Sequence, residues 1–236
     1  MSKSLFNTLL WVTIYAIAMA FLESAVVVYL RELYYPTHEL FPLNLIDGHI
    51  AFTELLRELA TLVMMVAIGF LASDNGKGRF AWFIYTFAIW DIFYYLSLKF
   101  LINWPSTLME WDVLFLIPFT WIGPVIAPII NSITMISLAM VIHHFINKKA
   151  TVKIGLYPWI LLFAGSFIVI GAYAEDYVQF MSQQFSIFGL LNPANGDAII
   201  ELAARYIPHD FAWWTFSAGV LMHLAAIGLV IRSNTK

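Results

Sequence analysis

Cysteine is absent from this 236-residue chain, which removes a disulfide framework, thiolate metal ligands and a thiol nucleophile from consideration. Charge is scarce as well. Asp, Glu, Lys and Arg make up 11% of the residues against 61% hydrophobic, and with a mean hydropathy of +0.81 the chain is too apolar for an ordinary soluble domain. P-loop, GxSxG, GxGxxG and HExxH motifs are missing, as is the paired ExxH of di-iron bundles. No repeat, low-complexity tract or linker divides the chain, so 1–236 is read as a single transmembrane domain. The net charge is −3, and nucleic acid is not an expected partner.

What is present is a series of long apolar runs. Crossing about 30 Å of hydrocarbon takes about 20 helical residues, and runs of that length lie near 6–30, 50–72, 80–103, 124–146, 154–174 and 211–232. Backbone polar groups must be satisfied internally in lipid, and the alternating short segments of a barrel are absent, so the runs predict helices. The expected fold is an all-α polytopic membrane bundle of about six helices. Lys3, an apolar stretch and Ala18, Met19 and Ala20 imitate a signal peptide, but the run continues to Leu30. This predicts an uncleaved first helix.

Charge sorts by side. Lys3, Lys77, Arg79, Lys148, Lys149, Lys153, Arg232 and Lys236 fall at the two chain ends or after spans two and four. The positive-inside rule makes those ends cytoplasmic, giving an N-in/C-in topology in the cell membrane. Glu32, Glu39, Asp47, Glu110, Asp112, Glu175, Asp176, Asp197, Glu201 and Asp210 occupy the other connections.

Two stretches depart from simple helices. "IPFTWIGPVIAP" carries Pro118, Pro124 and Pro128; proline removes a backbone donor and bends or ends a helix, which predicts a short outer segment and a Pro-kinked fourth helix whose broken backbone forms a cavity wall. Residues 175–210 contain two amphipathic stretches around the turn signal "NPANG" and are expected to lie on the outer surface as a roof.

The ionisable residues inside the spans raise the functional question. At 1.5 Å per residue, Glu54 and Glu58 lie about 6 and 12 Å below the outer end of span two, Glu23 about 10 Å, Lys99 about 6 Å and Asp91 about 18 Å deep in theirs. Glu54, Glu58 and Thr61 share a face, with Arg57 beside them. A charge at a helix centre costs about 2.5–3.5 kcal/mol, so six such groups are expected to converge in one outer cavity. One reading is a buried ion network that fixes helix packing. The other is a site: four acids face two bases, so a carboxyl keeps its proton or a cation completes the set. On that reading Glu54, Glu58, Glu23 and Asp91 are the catalytic candidates. Arg57, Lys99, Tyr94, Tyr95 and Trp121 are the ligand-binding candidates.

The motifs "AVVVYLRELYYP" (25–36), "ELLRELAT" (54–61), "WDIFYY" (90–95) and "WDVLFLIPFTWIGPVIAP" (111–128) resemble a family of uncharacterised bacterial polytopic membrane proteins over about the first 130 residues. The resemblance implies a bacterial inner membrane and brings no catalytic assignment.

Histidine is the remaining candidate ligand type. His223 sits mid-span among small residues with no histidine at matching depth, which disfavours haem and favours a packing role. The His143–His144 pair beside Lys148 and Lys149 reads as an interfacial basic cluster. His209 could join Glu23, Glu54 and Glu58 in an oxygen-rich site for a divalent metal, the one candidate cofactor. Three functional classes remain: an enzyme or binding protein for a lipid, isoprenoid or quinone-like amphipath, a proton- or cation-coupled transporter, and a non-catalytic subunit of a larger assembly or oligomer. A transporter needs polar groups continuing to the inner face, and below Asp91 there are few.

Overall fold

The computed structural model describes residues 3–35, 40–44, 46–118, 120–149, 151–190 and 192–235. Glu39 and Lys236 of the charge pattern, and Pro36 of the first motif, lie outside the described residues.

Six helices are long and apolar enough to cross a membrane, and the chain is a multi-pass membrane protein. They are α1 (Lys3–Tyr34), α2 (Gly48–Ala72), α3 (Gly76–Ile102), α4 (Ile126–Lys149), α5 (Leu156–Met181) and, last in the chain, α8 (Trp213–Thr235). Their ends follow local chemistry. Asp47 caps α2 by accepting the His49 N–H at 2.9 Å, and Asn75 caps α3 by accepting the Gly78 N–H at 2.7 Å. Helix α3 stops at Asn103, which takes a left-handed φ of 55°, a conformation that asparagine tolerates.

The bundle is built around α3, which packs against α1, α2 and α4; α4 continues to α8 and α8 to α5. α1 and α2 meet chiefly through α3, where Met19 and Ala20 of α1 and Met65 of α2 share a small cluster with Trp90. The α5–α8 contact is close because Gly165 faces Gly219 across it: a Cβ at Gly165 would lie 3.0 Å from the Gly219 carbonyl oxygen. The basic side is knitted by hydrogen bonds. Asn234 accepts the Lys153 N–H at 2.8 Å and donates to the Lys153 carbonyl at 2.8 Å, and Lys77 reaches the Val152 carbonyl at 2.5 Å.

The fourth spanning helix, expected from about Pro124, begins at Ile126, and the short outer segment before it is a strand pair. Residues Trp111–Phe115 (β1) and Trp121–Pro124 (β2) pair antiparallel as a hairpin, with Asp112 opposite Gly123 and an irregularity between Val113 and Phe115. Pro118 lies between the strands and Pro124 ends β2, while Pro128 sits in the first turn of α4, where its missing N–H leaves no bond unmade. Cross-strand pairing, not a distorted helix, organises the backbone over 111–115 and 121–124.

Helix α5 runs past 174 to Met181, so Glu175 and Asp176 belong to its last turns. Beyond it come the short α6 (Ile187–Leu190), a 3-10 turn (Pro193–Asn195) and α7 (Gly196–Ala203). They pack with the hairpin in a small outer core of Ile122, Tyr177, Met181, Leu202 and Tyr206. The Tyr206 hydroxyl donates to Asp176 at 2.5 Å; burial, then the Asp176 carboxylate, pushes that hydroxyl's pKa up.

Candidate functional site

A cavity of about 410 Å3 opens in the acidic, outer end of the bundle. Its walls come from α1 (Val27, Leu30, Arg31), α2 (Ala51, Glu54, Leu55, Arg57, Glu58), Tyr94 of α3, and the hairpin (Asp112, Val113, Leu116, Pro118, Thr120). Leu190 and the α7 residues Ile199, Ile200 and Ala203 close it from outside. α1 and α2 both flank the space, and Leu55 is exposed at its edge.

Helical spacing on α2 sets the polar face. Glu54 and Glu58 are buried one turn apart, and Arg57 reaches an acid on its own helix and one on its neighbour: its Nε donates to Glu54 at 2.7 Å, and Nη1 pairs with Glu23 of α1. Arg57 thus ties α2 to α1 by an ion pair, above the cluster of Met19, Ala20, Met65 and Trp90 that the two helices share with α3. Both oxygens of Glu58 receive the Leu116 N–H, at 2.9 and 3.1 Å. The hairpin connection thus presents a backbone donor to the cavity, and a carboxylate satisfies it.

A second ion pair shares the cavity. Arg31, at the end of α1, donates to Asp112 at 3.3 Å; the two residues are 7% and 2% exposed, so the pair is desolvated on both sides. The Arg31 guanidinium also lies 3.8 Å from the centroid of the Trp104 ring. Burial pushes the Asp112 carboxyl up to about 6, while Arg31 and the Tyr95 and Tyr94 hydroxyls pull it down. Tyr35, also on the wall, accepts the Asn44 N–H at 3.3 Å. Its hydroxyl pKa is raised by burial against the lowering effect of Asn44 and Arg31.

Of the residues singled out from the sequence, Glu54, Arg57, Glu58 and Tyr94 line the cavity. Glu23 stands behind them through Arg57. Asp91 does not join: it accepts the Ser132 hydroxyl at 2.7 Å on the α4 side of α3. Lys99 is exposed and donates to the Asn103 and Pro105 carbonyls at 3.3 and 3.0 Å, completing the end of its own helix. Tyr95 is buried between Tyr94 and Trp104, and Trp121 stacks on Tyr173 with centroids 6.1 Å apart. The expectation that all six charged groups share one cavity is therefore corrected to three lining it and one supporting them.

The metal set of Glu23, Glu54, Glu58 and His209 does not assemble. His209 is exposed and its backbone N–H donates to Asp176 at 3.2 Å, and among the described residues no three His, Asp or Glu side chains are placed to hold a metal ion. His223 contacts the Ser166 hydroxyl at 3.3 Å beside Gly165, a packing position.

Arg31 and Asp112 escaped the sequence reading. The available signal was the cation count: of 12 Lys and Arg residues, Arg31 is one of the few on the acidic side, where the positive-inside rule does not call for it. Searches of protein-family models, curated proteins and solved structures found nothing that matches the chain.

Proposed function

We propose that the outer cavity binds an amphipathic ligand of the lipid, isoprenoid or quinone-like class, which enters from the outer leaflet between α1 and α2. The observation that carries this reading is the mixed wall, in which the apolar Val27, Leu30, Leu43, Leu55 and Ile199 line the same cavity as Glu54, Arg57, Glu58 and the Arg31–Asp112 pair. A volume of about 410 Å3 is within the usual range for small-ligand sites, about 300–1,000 Å3. Four carboxylates, Glu23, Glu54, Glu58 and Asp112, stand against Arg31 and Arg57. Glu58 forms no ion pair with either cation and is held by the hairpin's Leu116 N–H. The surplus of acceptors favours a ligand head that donates hydrogen bonds, such as a hydroxyl or an ammonium, over a phosphate. Glu58 is also the group best placed for acid–base chemistry on such a head. The resemblance of the first 130 or so residues supports a bacterial inner membrane as the setting.

The test compares molecules retained by wild type and Glu58→Gln after purification into lipid nanodiscs, read by extraction and mass spectrometry. Glutamine keeps an acceptor for the Leu116 N–H, so the fold is retained. A charged hydrogen bond of about 1.5–3 kcal/mol is lost, which predicts about a tenfold or greater drop in occupancy of a selectively retained amphipath. If both proteins retain only bulk lipid in bulk proportion, the reading fails.

A further inference from the structure

The opposite end of the bundle holds a second crevice, independent of the outer cavity. It has a volume of about 320 Å3 and lies between the start of α1 and the end of α4, lined by Leu5, Met140, His143, His144, Asn147 and Lys148. The five α4 residues recur at helical spacing and so present one face. No carboxylate lines the crevice. His143 is 4% exposed, with its ring against Trp82 at a centroid distance of 4.0 Å, and its Nε2 is buried with no hydrogen-bond partner among the described residues. A buried ring nitrogen without a partner is an unmet polar group of a kind that folded proteins rarely leave.

Neighbouring cations on this side are committed elsewhere. Lys149 reaches the Asn234 carbonyl at 2.5 Å, Lys77 the Val152 carbonyl, and Arg79 the Ser73 carbonyl at 3.0 Å. Lys148 and His144 stay exposed at the crevice rim. The wall thus offers a lysine ammonium, an asparagine amide and two imidazoles, all able to donate, beside the apolar Leu5 and the exposed Met140.

We propose that this crevice binds the phosphate of an anionic phospholipid of the inner leaflet. Lys148 supplies the charge, Asn147 and the His143 Nε2–H donate hydrogen bonds, and the first acyl carbons lie along Leu5 and Met140. Three considerations select this occupant over a phosphate ion from solution. The crevice ends at the level of Lys148 and Lys149, where the positive-inside rule puts the cytoplasmic headgroups. Its flank is apolar, which a free anion cannot use. Basic pockets between helices on that side suit anionic headgroups, whose surface potential adds to the contact.

Native mass spectrometry of the full chain, exchanged into nanodiscs of phosphatidylglycerol mixed with phosphatidylcholine, tests the proposal. Wild type should retain phosphatidylglycerol selectively. Lys148→Gln, an exposed position whose change spares the fold, should lower that retention about fivefold, and Lys153→Gln, a cation on the same side outside the crevice, should leave it unchanged. His143→Phe keeps the ring against Trp82 and should weaken retention without altering Lys153 controls. Equal retention of the two lipids, or equal losses in Lys148→Gln and Lys153→Gln, overturns the proposal. Displacement of the lipid by millimolar inorganic phosphate, with phosphate alone giving the same thermal protection, overturns the lipid source in favour of a soluble ligand.

Discussion

Arg31 and Asp112, 81 positions apart in sequence, meet at 3.3 Å and tie the end of α1 to the first strand of the hairpin. Neither side chain has appreciable access to solvent. Removing one partner leaves a desolvated charge uncompensated, whereas removing both does not. Arg31→Met and Asp112→Leu should each lower stability by about 3 kcal/mol, and the double variant should recover most of that loss. Thermal melts of the four proteins in one detergent give the coupling directly. Additive losses would show that the pair contributes no specific interaction.

The same carboxylate makes stability depend on pH. Asp112 sits at about 6 in the fold against an ordinary 3.8, because burial outweighs the pull of Arg31. A raised value means that folding favours the protonated form. The contribution is fully present below about 3.8 and is lost as pH rises through about 6. The difference in melting temperature between wild type and Asp112→Asn should therefore change between pH 4 and 6 and level off above it. A difference curve that is flat across that window contradicts the assigned carboxyl.

The α5–α8 contact makes a packing prediction. A methyl group at Gly165 would lie 2.8 Å from the His223 ring and 3.0 Å from the Gly219 carbonyl oxygen. Gly165→Ala should cost about 1–3 kcal/mol by pushing the helices apart. Adding His223→Ala should restore only part of it, since the Gly219 backbone cannot move aside as a side chain can. Full rescue by His223→Ala would place the whole conflict on the ring.

The helices were legible because the hydrocarbon thickness sets a length that apolar runs either meet or fail to meet. Charge asymmetry then oriented them. The hairpin was not legible: its strands, "WDVLF" and "WIGP", are short, mostly apolar on both faces and adjoin prolines, so they carry neither a period of two nor a turn signature of their own. At the site, Glu54, Arg57 and Glu58 could be grouped because they share one helix and its spacing is fixed. Depth alone failed for Asp91 and Lys99. Depth says how far along a helix a residue lies and nothing about the direction it faces, and α3 presents buried residues around most of its circumference. Arg31 and Asp112 lie on separate elements near the interface, where each reads as a solvated charge until the hairpin brings them together.

The last prediction concerns Arg57 as the link between α1 and α2. Those helices both lean on α3, and the Glu23–Arg57–Glu54 set joins them by charge. Arg57 serves two carboxylates through different nitrogens of one fork, which a lysine ammonium on a flexible stem does not reproduce. Arg57→Lys should lower the melting temperature, and Arg57→Gln should lower it further, by about 3 kcal/mol of stability, because two partly buried acids lose their counter-charge. Neutralising the acids together with the arginine, as Glu23→Gln, Glu54→Gln and Arg57→Gln in one chain, should recover much of that loss. If the bridge also restrains the opening of the cavity, the triple variant should remain more accessible than wild type even where its stability is restored. The absence of native cysteine makes this measurable: Val27→Cys, on the α1 wall of the cavity, can be labelled by a membrane-permeant maleimide without background. Its labelling rate should rise several-fold in the triple variant relative to the Arg57 parent. An unchanged rate alongside restored stability would make the bridge a packing element only, with no part in admitting a ligand.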